Sequence, residues 1–150
     1  MTVILIFLVI CSAFFSATET AFTSLNHLRL KAKAEGGDKL AAKTLLLAED
    51  YDNLISTILV GNNIVNIVAT TLSTLLFVEG LKLQNGALIS TVVMTVVVLI
   101  FGEVSPKTAA KETAESFAMF AAPIIRVFMV LLKPVTALLS LIQHALKKLI

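Results

Sequence analysis

The chain has 150 residues, 57% hydrophobic and 15% charged, with a mean hydropathy of +0.94; soluble domains carry nearer a quarter charged residues, so water is not its main solvent. The net charge of +2, with no basic run interleaved with aromatics, argues against a nucleic-acid partner. A single cysteine, Cys11, excludes an internal disulfide and a multi-cysteine zinc site, and the length is filled by one domain of membrane helices over residues 1–150.

The first apolar segment covers about residues 2–25, and its only charge is Glu19. It lacks a basic leader region and runs past any small-residue cleavage site, so it is expected to be a retained spanning helix rather than a signal peptide. Residues 26–53 are polar, with a Gly36-Gly37 break between two helix-forming halves, and predict two short amphipathic helices at the membrane surface. A second span follows over 54–78, with no charge in it. After a turn at 79–86, a third covers 87–105 and closes on Gly102-Glu103-Val104-Ser105-Pro106-Lys107. The last apolar stretch, 117–146, is interrupted by Pro123, Arg126, Lys133 and Pro134. A basic residue near a helix centre costs about 2.5–3.5 kcal/mol on insertion scales, and proline breaks the helix ladder. Interfacial or belt helices over about 110–148 are therefore expected instead of a fourth span.

The expected fold is thus an all-α membrane protein with three transmembrane helices, short cytoplasmic-side helices and a juxtamembrane belt. With the N-terminus outside, eleven of the twelve Lys and Arg face the cytoplasm, as the positive-inside rule favours. That orientation places a multi-pass protein in the inner (plasma) membrane, with a cytoplasmic C-terminus.

Polar groups recur at membrane depth. Ser12, Ser16, Glu19, Thr20 and Thr23 fall at spacings of three and four and make one stripe. An intramembrane carboxylate marks an ion path or a paired partner; Glu19 could equally snorkel or pair with a lysine, and the hydroxyls could bond back to their own helix. In the second span Asn62, Asn63 and Asn66 follow Gly61, and Asn63, Asn66 and Thr70 share a face. Amide oxygens suit a hard cation without adding charge, and they also serve as glue between helices. Pro106 has no N–H, so in an α-helix it frees the carbonyl of Gly102, beside Glu103. Broken helices of this kind build cation sites in transporters, although a plain helix terminus would read the same way. Counting from the presumed inner ends, with Lys107 closing the third span, puts Ser16, Glu19 and Asn63 about 15–20 Å deep and Glu103 about 6 Å. The pattern suggests an inward-opening acidic cavity whose oxygens suit magnesium, calcium or sodium, with two carboxylates to balance a divalent ion. Composition does not choose among those ions.

Three stretches, FFSATETAFTSLNHLRLK, ISTILVGNNIVNI and VLIFGEVSPKTAA, resemble in order and spacing the membrane domain of the CorC and cyclin M family of magnesium exporters, and the resemblance covers essentially the whole chain. It implies a homodimer in the lipid bilayer with three spans per subunit, exporting Mg2+ in exchange for Na+ from an inward-facing site by alternating access. Carried over by position, the metal site would use Ser16, Asn63, Glu103 and the carbonyl of Gly102, with Glu19, Thr20, Asn62, Asn66 and Pro106 lining the cavity or linked to sodium. The family pattern continues into cytosolic CBS domains, which lie outside these 150 residues.

Two other classes compete. A membrane anchor, dimerisation or cation-sensing module would use the polar stripes for packing alone. An intramembrane hydrolase built on Ser16 or Ser24 with His27 has no supporting nucleophile or metalloprotease motif, so no enzyme activity is expected.

Overall fold

A computed structural model describes residues 1–150, and the chain is helical apart from short connections. The elements are α1 (Thr2–Thr23), α2 (His27–Glu35), α3 (Lys39–Glu49), α4 (Tyr51–Leu75), α5 (Gly86–Val97), α6 (Ser105–Glu112), α7 (Ala114–Leu131) and α8 (Lys133–Leu149). Helix α4 runs on into a wide π turn over Leu76–Gly80, and a second π turn over Val98–Val104 joins α5 to α6 without a break. Four helices are long and apolar enough to cross a membrane: Thr2–Thr23, Tyr51–Gly80, Gly86–Glu112 and Ala114–Leu131. This is an all-α, multi-pass membrane protein.

The polar segment between the first two long helices folds as its glycines require. Asn26 caps α2 by accepting from the Arg29 amide at 3.2 Å. Gly37 takes φ +98°, a left-handed conformation that glycine adopts without penalty. The turn closes as a Schellman motif, with the Asp38 amide on the Lys33 carbonyl and the Gly37 amide on that of Ala34. Asp38 then caps α3, accepting from Leu40 and Ala41 at 3.0 and 3.1 Å. The two short helices and the break at Gly36-Gly37 are as expected.

At the opposite end, α4 and α5 form a tight hairpin. Gly86 sits so close to the α4 end that a Cβ there would come within 2.9 Å of the Phe77 carbonyl oxygen. Ser73 and Ser90 share a buried hydrogen bond of 2.7 Å between the two helices.

The third long helix differs from expectation. Its predicted end at about 105 is overrun, because the π turn leads straight into α6 and the helix continues through Pro106 to Glu112, with one carbonyl before the proline left without its amide.

The core gathers where α1, α4 and α7 meet, around Phe15, Phe22, Leu54, Ile58 and Ile125. Alanines at 118, 121 and 122 let α7 approach closely. Phe117 packs on Phe14 with ring centroids 6.2 Å apart, and Phe128 on Phe15 at 5.2 Å. Phe117 and Phe128 are separated by about 16 Å along α7, yet they flank neighbouring residues of α1. Helix α7 therefore crosses α1 steeply and does not run alongside it. Its start is tied to α2 by Glu115, which lies 3.5 Å from Arg29 and 3.6 Å from Lys33. The amphipathic α8 buries only Thr136 and leaves Leu138, Leu141, Ile142 and Leu146 exposed.

Candidate functional site

Helices α1 and α4 touch first at a dry contact. Gly61 lies under Phe15, where a Cβ would meet the ring at 2.7 Å, so only glycine lets the two backbones come this close. One turn along α1 the contact becomes polar. Ser12 Oγ donates to Asn62 Oδ1 at 3.1 Å, and Asn66 Nδ2 reaches the same oxygen at 3.5 Å. The third helix joins them there, because a Cβ on Gly102 would fall 3.0 Å from Ser12 Oγ. Ser12, 1% exposed, is thus where three membrane helices converge.

Gly102 belongs to the π turn, in which the Ser105 amide donates to the Ile100 carbonyl, five residues back. Pro106 has no amide to extend that register. The carbonyl five residues before it is that of Phe101. The freed acceptor, placed at Gly102 by α-helical spacing, thereby extends to its neighbour. π turns of this kind recur at functional sites.

Two buried polar atoms on this seam have no protein partner: Ser16 Oγ, one turn from Ser12, and Asn66 Oδ1. Ser16 is completely buried. A buried hydroxyl without an acceptor or donor is costly, and in hydrocarbon no water replaces the lost bond. Glu103 follows Gly102, is half-buried, and forms no ion pair within the chain.

The axial register corrects the depths expected from counting. Gly102 lies against Ser12, and Lys107 Nζ is 3.8 Å from Glu19 Oε2, so α1 and the third helix run parallel and in step. Glu103 is therefore level with Ser12 and Ser16, not about 10 Å nearer the helix end. The count placed it too low because it ended the helix at Lys107. The Glu19 contact also answers the alternative left open for that residue: it pairs with a lysine. Both partners are partly exposed and the contact is long, which makes it a weak pair. Glu103 remains the seam's carboxylate without a basic partner.

Other expected residues fall less centrally. Asn63 is exposed on the flank of α4, about 100° around the helix from Asn62 and about 60° from Asn66, and lies outside the half-buried strip those two form. Thr20 and Pro106 are half-buried. Ser12 was legible in the polar stripe but absent from the residues carried over by family resemblance; its distinguishing mark is that Gly102 and Asn62 reach it from two helices. No three His, Cys, Asp or Glu side chains come together anywhere in the chain. A cation held at this seam would therefore rest on hydroxyl, amide and backbone oxygens with one carboxylate, a donor set suited to hard ions.

Residues 3–150 match the family described as the cyclin M transmembrane N-terminal domain. Over 150 residues the chain is 36% identical to a UPF0053 protein of Haemophilus influenzae, covering 99% of this chain and 35% of that protein. It is 38% identical over 139 residues to the UPF0053 inner membrane protein YfjD of Escherichia coli, covering 91% and 32% respectively. A chloroplastic DUF21 domain-containing protein of Arabidopsis thaliana is 30% identical over 143 residues, 93% of this chain and 21% of its own. The chain thus spans about a third of the length of the bacterial relatives.

Proposed function

We propose, from the premise that this chain belongs to the cyclin M transmembrane domain family, that it is the membrane part of a magnesium exporter. In this reading Mg2+ enters from the cytoplasm, is held at the seam between α1, α4 and the π turn, and leaves by alternating access coupled to Na+. Ser16, Glu103 and a carbonyl of the π turn hold the ion. Asn63 completes the set from the flank of α4, and Glu19, Thr20, Asn62, Asn66 and Pro106 shape the cavity.

The observation that carries this reading is the Ser16 hydroxyl, fully buried and without a partner at the level of an unpaired glutamate. Packing alone has no use for such an atom, whereas a cation site needs free oxygens. Irregular backbone is tolerated within a membrane where it lines a cavity, and the π turn supplies it here.

The rest of the arrangement follows. The N-terminus lies outside and the C-terminus in the cytoplasm, in the inner membrane, with α2 and α3 on the cytoplasmic face. Helix α7, steeply crossed on α1 and carrying Pro123 and Arg126, lies with α8 as a belt at that face, although its length would allow a span. Two subunits associate with the exposed flank of α4 between them, which shields Asn63 from lipid. Cytosolic CBS domains are the expected partner of this membrane part, and no catalysis is involved.

The test is magnesium efflux from loaded proteoliposomes with sodium outside. Glu103→Gln is expected to reduce the rate at least about 100-fold, the scale of roughly 2.7 kcal/mol for a lost charged ligand, and to remove the magnesium-dependent rise in melting temperature. Wild-type rates in that variant would overturn the site. One observation favours a rival reading: Ser12, Asn62 and Asn66 bond to each other as interhelical glue does. A pure packing module would melt at the same temperature with and without magnesium.

A further inference from the structure

Away from the seam, two adjoining hollows open between α3 and α7. The first, of about 410 Å3, has apolar walls formed by Leu40, Leu47, Ala122, Val127 and Val130. That is within the roughly 300–1,000 Å3 range of ligand sites. The second, of about 320 Å3, shares Lys43, Leu47, Arg126 and Val130 with the first and adds Lys133. Three cations therefore stand along one apolar trough. None of them forms an ion pair within the chain. The one acid there, Asp50, accepts from Asn53 Nδ2 at 3.3 Å.

The placement of Arg126 decides what the trough fits. It is the only charge between Glu115 and the end of α7, a helix apolar enough to enter a bilayer, and an unpaired arginine in such a helix is costly. Helix α3, across the trough, lies in the charged segment that links two membrane helices, so the trough opens at a bilayer surface. A basic mouth above an apolar groove at that depth complements an anionic headgroup with its acyl chain. We propose that the α3–α7 trough is a binding site for an anionic phospholipid, its phosphate held by Lys43, Arg126 and Lys133 and one acyl chain lying along Leu47, Ala122 and Val130. The lipid neutralises Arg126 and fastens α7 to α3. This site is independent of the magnesium reading, since it needs only a membrane.

The test is lipid retention by the purified chain in detergent, with equimolar dioleoylphosphatidylglycerol and dioleoylphosphatidylcholine and bound lipid counted by native mass spectrometry. Phosphatidylglycerol should exceed phosphatidylcholine by about fivefold per basic residue engaged. Millimolar inorganic phosphate should not displace it. The double variant Lys43→Gln, Arg126→Gln should reduce the excess to the roughly fivefold that Lys133 alone supplies, Arg126→Lys should keep the full excess, and Lys31→Gln on α2 should leave it unchanged. Lys133→Gln, at the exposed start of α8, should lower the excess severalfold, and it decides the matter if the double variant does not fold. Parity in the wild type, an excess that Lys133→Gln leaves undiminished, or displacement by free phosphate would overturn the proposal.

Discussion

One turn of α1 separates two contacts of opposite character. At Phe15 the helix meets Gly61 and Phe128 in a fully apolar joint with the ring 2% exposed. At Ser12 it meets an amide, a glycine and a π turn, and two buried polar atoms, Ser16 Oγ and Asn66 Oδ1, are left over. Both joints are tight, and both depend on a glycine in the facing helix. The difference is that the first is saturated and the second is not. Stability is concentrated in the apolar joint, whereas the polar one keeps bonding capacity in reserve.

That division can be broken at either joint. The largest loss of stability is expected from Ile125→Ala, which opens a cavity under α7 where the side chain is fully buried. Since lipid, unlike water, solvates apolar groups well, the cost should be on the order of 2 kcal/mol, the low end for such truncations. It is read as a lower unfolding midpoint in bicelles. Gly61→Ala comes next. Its Cβ would meet a Phe15 ring already hemmed in by Phe128, so an overpacking cost of about 1 kcal/mol, the low end for such insertions, is expected in the same measurement. Gly102→Ala is the sharper counterpart. The atom it would crowd is a single serine hydroxyl, which can rotate away, so melting without cation should change by less than about 1 kcal/mol while the magnesium-induced rise falls. Equal losses from the two glycine variants would dissolve the distinction between the joints. The smallest effect is expected from Ser12→Ala, about 0.6 kcal/mol, as is usual for interhelical hydrogen bonds in membranes; a loss above about 2 kcal/mol would make the seam a principal source of stability after all.

Much of this was legible in residue order. Hydropathy marked the three long helices that carry the seam, the Gly36-Gly37 pair marked the surface hairpin, and three- and four-residue spacings marked Ser12 and Ser16 as one face. What escaped has physical causes. Helical periodicity assumes a fixed 3.6-residue turn, so it carries no sign of where a register widens, and the π turn at Val98–Val104 was invisible. The same assumption let Pro106 look like an ending, although it follows a π turn and the helix runs on through it. The steep crossing of α7 depends on alanines and phenylalanines fitting across elements, which spacing within one element does not record. Asn63 shows the opposite limit. Three asparagines within five residues read as one cluster, but about 100° of helix separates Asn63 from Asn62.

The π turn has a consequence for the arithmetic of this chain. A helix that closes five-residue loops where four would serve has one residue more than its path requires. Losing any single residue between Val98 and Val104 would therefore leave the helix continuous and close it into ordinary α register. Everything beyond, including Lys107 and its contact with Glu19, would keep its facing, whereas the same loss within the regular α5 would turn it by about 100°. In this stretch the number of residues is itself a structural specification, one that substitutions at any position leave intact and a single deletion erases.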